Sequence, residues 1–292
     1  MRDWIANLPR IDWALAAALA ISALSALVTR RRGGHFRGLP GWVGFWAVFA
    51  GILVSLSRLE PWISLTMLGL LMFVGLRAYF FVVPVRPRDR YALLAAYLAI
   101  PVALYPGYTG SEATFLAVIP VGLFLLFPVL LSMGPQQEGL LESVGRILLA
   151  VLFFVFCSAH LGLLVHWEQP GLLELFGVLV LAAELPGRLT GRFRLGGGRT
   201  RTAMGVIGGV VLAAAVGYWA GPWCDLGQED AARAGLLVAV AVTLGALVSE
   251  AIMRDLAPAP SAGRTGRWAF LDRTIPAVYA APVFFHYLNH FA

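Results

Sequence analysis

The stretch Trp62–Val83 reads WISLTMLGLLMFVGLRAYFFVV, 22 residues with one charge, Arg77. As a helix at 1.5 Å per residue it runs about 33 Å, enough to cross the roughly 30 Å hydrocarbon core of a bilayer. Its apolar residues go all the way round, so it has no polar face to offer water. In lipid a helix is stable because each backbone N–H and C=O is satisfied within the segment.

Working outward from it, similar apolar runs fall near Ile11–Thr29, Gly41–Ser57, Tyr91–Pro106, Thr114–Met133, Ile147–Val165, Leu172–Pro186, Ala203–Gly221, Ala234–Met253 and Phe270–Leu288. The chain is therefore expected to be an all-α polytopic membrane protein with about ten spans. Several runs are short and two could be re-entrant, which leaves nine spans as the competing count. The first run is expected to be a transmembrane helix and not a signal peptide, because no small-residue cleavage site follows it. With no repeat, no heptad run and no long linker, residues 1–292 are expected to form a single membrane domain.

Composition agrees. Of 292 residues, 59% are hydrophobic and 13% charged, where a soluble domain carries about 25% charged residues. Mean hydropathy is +0.79. All 22 basic residues are arginine, and the net charge is +6. In a membrane protein a basic balance points to anionic headgroups and topology signals rather than to nucleic acid. The two cysteines, Cys157 and Cys224, have no metal-type spacing, and no disulfide follows from them.

Arginine is also distributed unevenly. The odd-numbered loops and their edges hold 18 of the 22, and the other side holds Arg2, Arg10, Arg58 and Arg233. One miscounted span mid-chain would scramble that alternation, so the asymmetry supports ten. The positive-inside rule predicts that the odd loops are cytoplasmic and both termini outside, in the inner (cytoplasmic) membrane of a cell.

Two of the predicted cytoplasmic loops carry chemistry. Gly187–Arg201, GRLTGRFRLGGGRTR, packs five arginines and five glycines. Backbone amides freed by glycine, beside fixed positive charge, suit a polyphosphate or a phospholipid headgroup. The phosphate-binding GxxxxGK[ST] pattern is absent, and a flexible topology-setting loop has the same composition. Arg254–Arg273 carries Asp255 at one end and Asp272 at the other. Carboxylates at a basic membrane surface can hold Mg²⁺ against a nucleotide's phosphates, or simply pair with neighbouring arginines. Glu184 and Glu250 lie inside apolar runs, and Glu174 nearer the outer face; an intramembrane carboxylate is costly unless paired or hydrated, so each is a functional candidate. His160 reads as a packing residue. His286 and His290, spaced i, i+4, read as interfacial anchors rather than metal ligands.

At these two loops the sequence resembles the CDP-diacylglycerol synthase (phosphatidate cytidylyltransferase) family. The first patch is Ala183-Glu184-Leu185-Pro186-Gly187-Arg188-Leu189-Thr190-Gly191-Arg192. The second is Gly198-Arg199-Thr200-Arg201-Thr202-Ala203-Met204-Gly205-Val206-Ile207-Gly208-Gly209. The third runs from Gly245 to Arg254, then Gly266–Arg273, then Ala281-Pro282-Val283-Phe284. Order and spacing agree over roughly the last 110 residues. Departures concentrate in the acidic shell. The family's first aspartate falls at Val180, its tyrosine at Glu184, its Gly-Asp aspartate at Ala246 and its serine at Glu250. Its His-Gly-Gly is replaced by Trp268-Ala269 after Arg267. Gly187, Arg188, Gly191, Arg201, Thr202, Gly205, Gly208, Gly209, Arg254, Asp272 and Arg273 match.

The resemblance implies N-terminal helices over 1–170 and a cytidylyltransferase-like region over 171–292. It implies a reaction in which the phosphate of a phosphatidate-like lipid attacks the α-phosphorus of CTP. Arg188, Arg192, Arg199, Arg201, Thr202 and Arg254 would bind substrate phosphates. Asp272, with Glu184, Glu250 or Asp255, would hold Mg²⁺; Asp272, Arg273 and Glu250 would be the catalytic set. A homodimer is also implied. The altered shell leaves three competitors: a CTP-dependent lipid-alcohol kinase, a non-catalytic lipid- or partner-binding member, and a transporter using Glu184 and Glu250.

Overall fold

The computed structural model describes residues 10–29, 39–86, 89–133, 138–167, 169, 171–190, 192–195, 198–201, 203–256 and 266–292. Within them the chain forms α1 (Arg10–Thr29), α2 (Leu39–Arg58), α3 (Pro61–Val82), α4 (Arg90–Thr109), α5 (Glu112–Ser132) and α6 (Leu140–His166). Then come α7 (Leu172–Thr190), the strands β1 (Arg192–Leu195) and β2 (Gly198–Arg201), α8 (Ala203–Ala220), α9 (Gln228–Leu256) and α10 (Gly266–Phe291). Each of the ten apolar runs in the sequence coincides with one of these helices. The protein is an all-α polytopic membrane protein, apart from one short hairpin.

Among the described residues eight helices, α1–α6, α8 and α9, are long and apolar enough to cross a membrane. This is fewer than the ten spans expected. The other two, α7 and α10, differ by composition rather than length. At 19 and 26 residues they are long enough, but α7 carries Glu174, Glu184 and Arg188, and α10 carries Arg267, Asp272 and Arg273. Both are shielded by their neighbours. From Leu172 to Glu184 each residue of α7 is buried, and α7 packs against α1, α2, α8 and α9. A helix with ionisable residues belongs inside the bundle, where those residues find partners.

Small residues bring α7, α8 and α9 together. A Cβ built on Gly209 would lie 2.4 Å from the Ala183 carbonyl oxygen, and one on Gly217 would lie 2.1 Å from that of Ala231. In lipid, helices associate through such close backbone approach because no hydrophobic force separates helix from solvent. Gly208 and Gly209, matched to the family's glycines in the sequence, thus have a packing role here.

Proline interrupts several helices. In α5 the ladder slips into a π turn over Val118–Gly122, around Pro120, which has no N–H to give. The second π turn, Leu152–Cys157 in α6, contains no proline and carries Phe154 into the crevice described below.

Candidate functional site

The arginine-glycine segment is not a plain loop. It is an antiparallel hairpin in which Arg192 pairs with Arg201, Phe193 with Thr200, Arg194 with Arg199 and Leu195 with Gly198. The side chains of its four arginines, Arg192, Arg194, Arg199 and Arg201, lie outside the described residues. Thr202 lies outside the described residues.

Below the hairpin, the end of α7 meets the start of α2. Glu184 is fully buried, and the Trp42 indole Nε1 donates to its Oε2 at 2.6 Å. Arg188, one turn on, brings a guanidinium nitrogen to 3.6 Å from the same oxygen. Its Cζ also lies 5.8 Å from the centroid of the Trp42 ring. The indole therefore braces both members of the pair, by its N–H and by its face.

The start of α10 completes this end. Asp272 and Arg273 sit in its second turn, on helix rather than in the connecting segment, and both are half-buried. Arg273 lies against α2: a Cβ on Gly41 would come within 3.1 Å of its guanidinium. Arg188, Asp272 and Glu184 are close enough to act on its charge. Arg188, Glu184, Asp272 and Arg273, four of the residues singled out in the sequence, are thereby gathered at one end of α2, α7 and α10.

The other candidates are not part of that cluster. Glu250 is paired with Arg254, one turn along α9, at 3.3 Å, and Asp255 is exposed. Among the described residues no three His, Cys, Asp or Glu side chains are grouped to hold a metal ion. Glu184, Glu250, Asp255 and Asp272 therefore do not form a protein cage. Mg²⁺ commonly takes one or two carboxylates and completes its shell with substrate phosphates. Asp272 beside Arg273 fits that mode.

An apolar crevice of about 410 Å³ has Arg273 in its wall. It follows α2 from Gly41 to Leu56, a helical length of about 22 Å, with Met72, Phe154, Leu161 and Val278 among its other walls. That exceeds the roughly 15 Å depth of one leaflet's hydrocarbon.

Two further polar contacts could not be read from the sequence. Trp42 looked like one more apolar residue at a helix start. His160, read there as packing, is fully buried and places its Nε2 3.3 Å from that of His286 on α10. Its Nδ1 bonds the Phe156 carbonyl at 2.9 Å. No spacing rule links positions that far apart in the chain.

Fold and site define a polytopic membrane protein with an arginine-rich end, a buried glutamate there, and an apolar crevice running away from it. Over 305 aligned residues the chain is 27% identical to an uncharacterized protein, YnbB, of Escherichia coli (strain K12); the match covers 96% of this chain and 99% of that one. No family model matches the chain, and no solved structure does.

Proposed function

We propose that this protein is a membrane nucleotidyltransferase that makes CDP-diacylglycerol, or a related CDP-lipid, from CTP and a phosphatidate-like lipid. The observation that carries this reading is the presence of Arg273 in the wall of the long apolar crevice. An amphiphile with an anionic head and long tails suits that junction: tails along α2, headgroup phosphate at Arg273 and Arg188. The arginine-rich segment Arg188–Arg201 would supply charge for a second, polyphosphate ligand.

The chemistry asks little covalent work of the protein. Charge on two phosphates must be neutralised, and the lipid oxygen held in line with the α-phosphorus. Arg188, Arg192, Arg199, Arg201, Thr202 and Arg254 would hold substrate phosphates. Arg273 would orient the lipid phosphate. Asp272, with support from Glu184 or Glu250, would hold Mg²⁺, which when bound neutralises phosphate charge. Bond formation expels pyrophosphate, so no general base beyond the lipid phosphate is required. The site would face the cytoplasm, where CTP is found.

One observation favours a second reading, a non-catalytic lipid-binding protein: Glu184 is engaged by Trp42 and Arg188, and Glu250 by Arg254. The test is incubation of purified protein in mixed micelles with labelled CTP, Mg²⁺ and phosphatidic acid. Lipid-extractable label that vanishes in Asp272→Asn is the expected result. No label from folded protein across several divalent ions would remove the enzymatic reading for phosphatidic acid.

A further inference from the structure

At the opposite end of α2 lies a second buried polar cluster, unconnected with the residues above. Asp12 is in the first turn of α1, Arg58 closes α2, and Glu174 opens α7. The Glu174 side chain is fully buried and that of Asp12 is 8% exposed. Arg58 bonds Asp12 Oδ2 through Nη2, and its Nε stands 4.0 Å from Glu174 Oε1. Ser57 donates to that same Oε1. The remaining oxygens, Asp12 Oδ1 and Glu174 Oε2, are buried and, among the described residues, have no hydrogen-bond partner.

Charge does not balance here. Among the described residues, Arg58 is the one cation within ion-pair reach of either carboxylate. Two ionised acids against one guanidinium leave a surplus negative charge on buried carboxylates, and among the described residues two of their oxygens have no donor. The neighbouring groups do not correct it. Cys224, in the turn after α8, donates its thiol to the Gly171 carbonyl at 3.4 Å, and Asp225 and Glu60 add further negative charge nearby. A proton on either acid removes the surplus and turns an orphan acceptor into a donor. Two carboxylates close enough to interact take up that proton as a unit.

We propose that Asp12 and Glu174 hold one proton between them, forming a proton-binding site at the end of the bundle opposite the arginine-rich end. A cavity of about 230 Å³ lined by Ser57, Arg58, Glu60 and Gln169 lies beside it. Leu56 walls both this cavity and the long crevice, so the site adjoins the crevice's far end. A bound proton needs no coordination shell, which agrees with a pair of carboxylates rather than a metal-sized cluster.

A hydrophobic carbodiimide tests this directly. The acid's O–H adds across a C=N bond, the proton passing to nitrogen, and the adduct rearranges to a stable acylurea with nothing lost. Ionised carboxylates do not react. Full-length protein in detergent is treated with dicyclohexylcarbodiimide at neutral pH, and the adduct located by peptide mass spectrometry. Label on Glu174 or Asp12, never both in one chain, is expected. It should fall severalfold in Asp12→Asn, where Arg58 alone balances Glu174. In Arg58→Gln it should persist to higher pH, because the surplus charge grows. Absence of label on both acids in folded wild-type protein would overturn the proposal. Protection by sodium ions would also overturn it, since a metal ion would then occupy the gap. Label on Glu174 that ignores Asp12→Asn would show that the two acids do not share a proton.

Discussion

Trp42 and Glu184 stand 142 positions apart in the chain, and the indole N–H of one is bonded to the carboxylate of the other at 2.6 Å, with both side chains fully buried. This bond ties the start of α2 to the end of α7 beside Arg273. A hydrogen bond to a charged acceptor is worth about 1.5–3 kcal/mol. Trp42→Phe keeps an aromatic ring for Arg188 but leaves Glu184 without its indole donor. We expect it to lower the unfolding free energy by about that amount, read as a lower thermal midpoint in detergent. A midpoint equal to wild type would mean that the bond contributes nothing net.

Arg273 is expected to hold the lipid headgroup. Loss of a charge-assisted bond of about 1.5–3 kcal/mol corresponds to roughly ten- to hundredfold weaker binding. Arg273→Ala should therefore lose phosphatidic acid retention by that factor, measured by native mass spectrometry against a zwitterionic lipid. Arg273→Lys should recover part of it, since the charge remains but the forked geometry is lost. Equal retention in the alanine variant would move the headgroup elsewhere.

Much of this architecture was legible in the residues. Ten apolar runs became ten helices, because in lipid the apolar length is itself the structural signal. Arg188, Glu184, Asp272 and Arg273 were each identifiable as charged residues at apolar edges, and the fold brings them to one end. Three things were not legible. The hairpin at Arg192–Arg201 was missed, since its strands are only four residues long and hold few of the β-branched and aromatic residues that mark a strand. That Glu250 pairs with Arg254 one turn along α9, away from Asp272 and Glu184, was not legible either. The Asp12–Arg58–Glu174 cluster joins three helices through side chains with no local pattern; Glu174 alone carried a signal, as a costly intramembrane acid.

Helix contact in this bundle depends on hydrogen-only positions. A Cβ on Gly217 would stand 2.1 Å from the Ala231 carbonyl oxygen, a backbone atom that no side-chain adjustment moves. Gly217→Val should push α8 from α9 and cost at least about 1–3 kcal/mol, as overpacking does. Gly51→Val is the control, since a Cβ there meets nothing within 4 Å. The expected readout is loss of monodisperse protein for the first and retention for the second.

The arginine count predicts which face each end of α2 occupies. A single cysteine at Arg194, in a variant with Cys157 and Cys224 replaced, should resist a membrane-impermeant maleimide in intact cells and react after lysis. One at Trp223 should react in intact cells. The reverse pattern would invert the expected topology and place the arginine-rich end outside.

Gly44 offers the most selective test of the crevice. It lies on the wall that α2 contributes, and a Cβ there meets nothing within 4 Å. A larger residue can therefore fill the crevice without moving the backbone. Replacing a helical glycine also removes about 1 kcal/mol of conformational cost. Gly44→Leu should thus leave thermal stability unchanged or slightly raised, while lipid retention and CDP-lipid formation fall at least severalfold. Most destabilising variants lose stability and activity together, so this opposite movement separates a blocked tail site from a damaged fold. A variant that binds lipid as wild type does would show that the tails lie elsewhere, against the outer surface of the bundle.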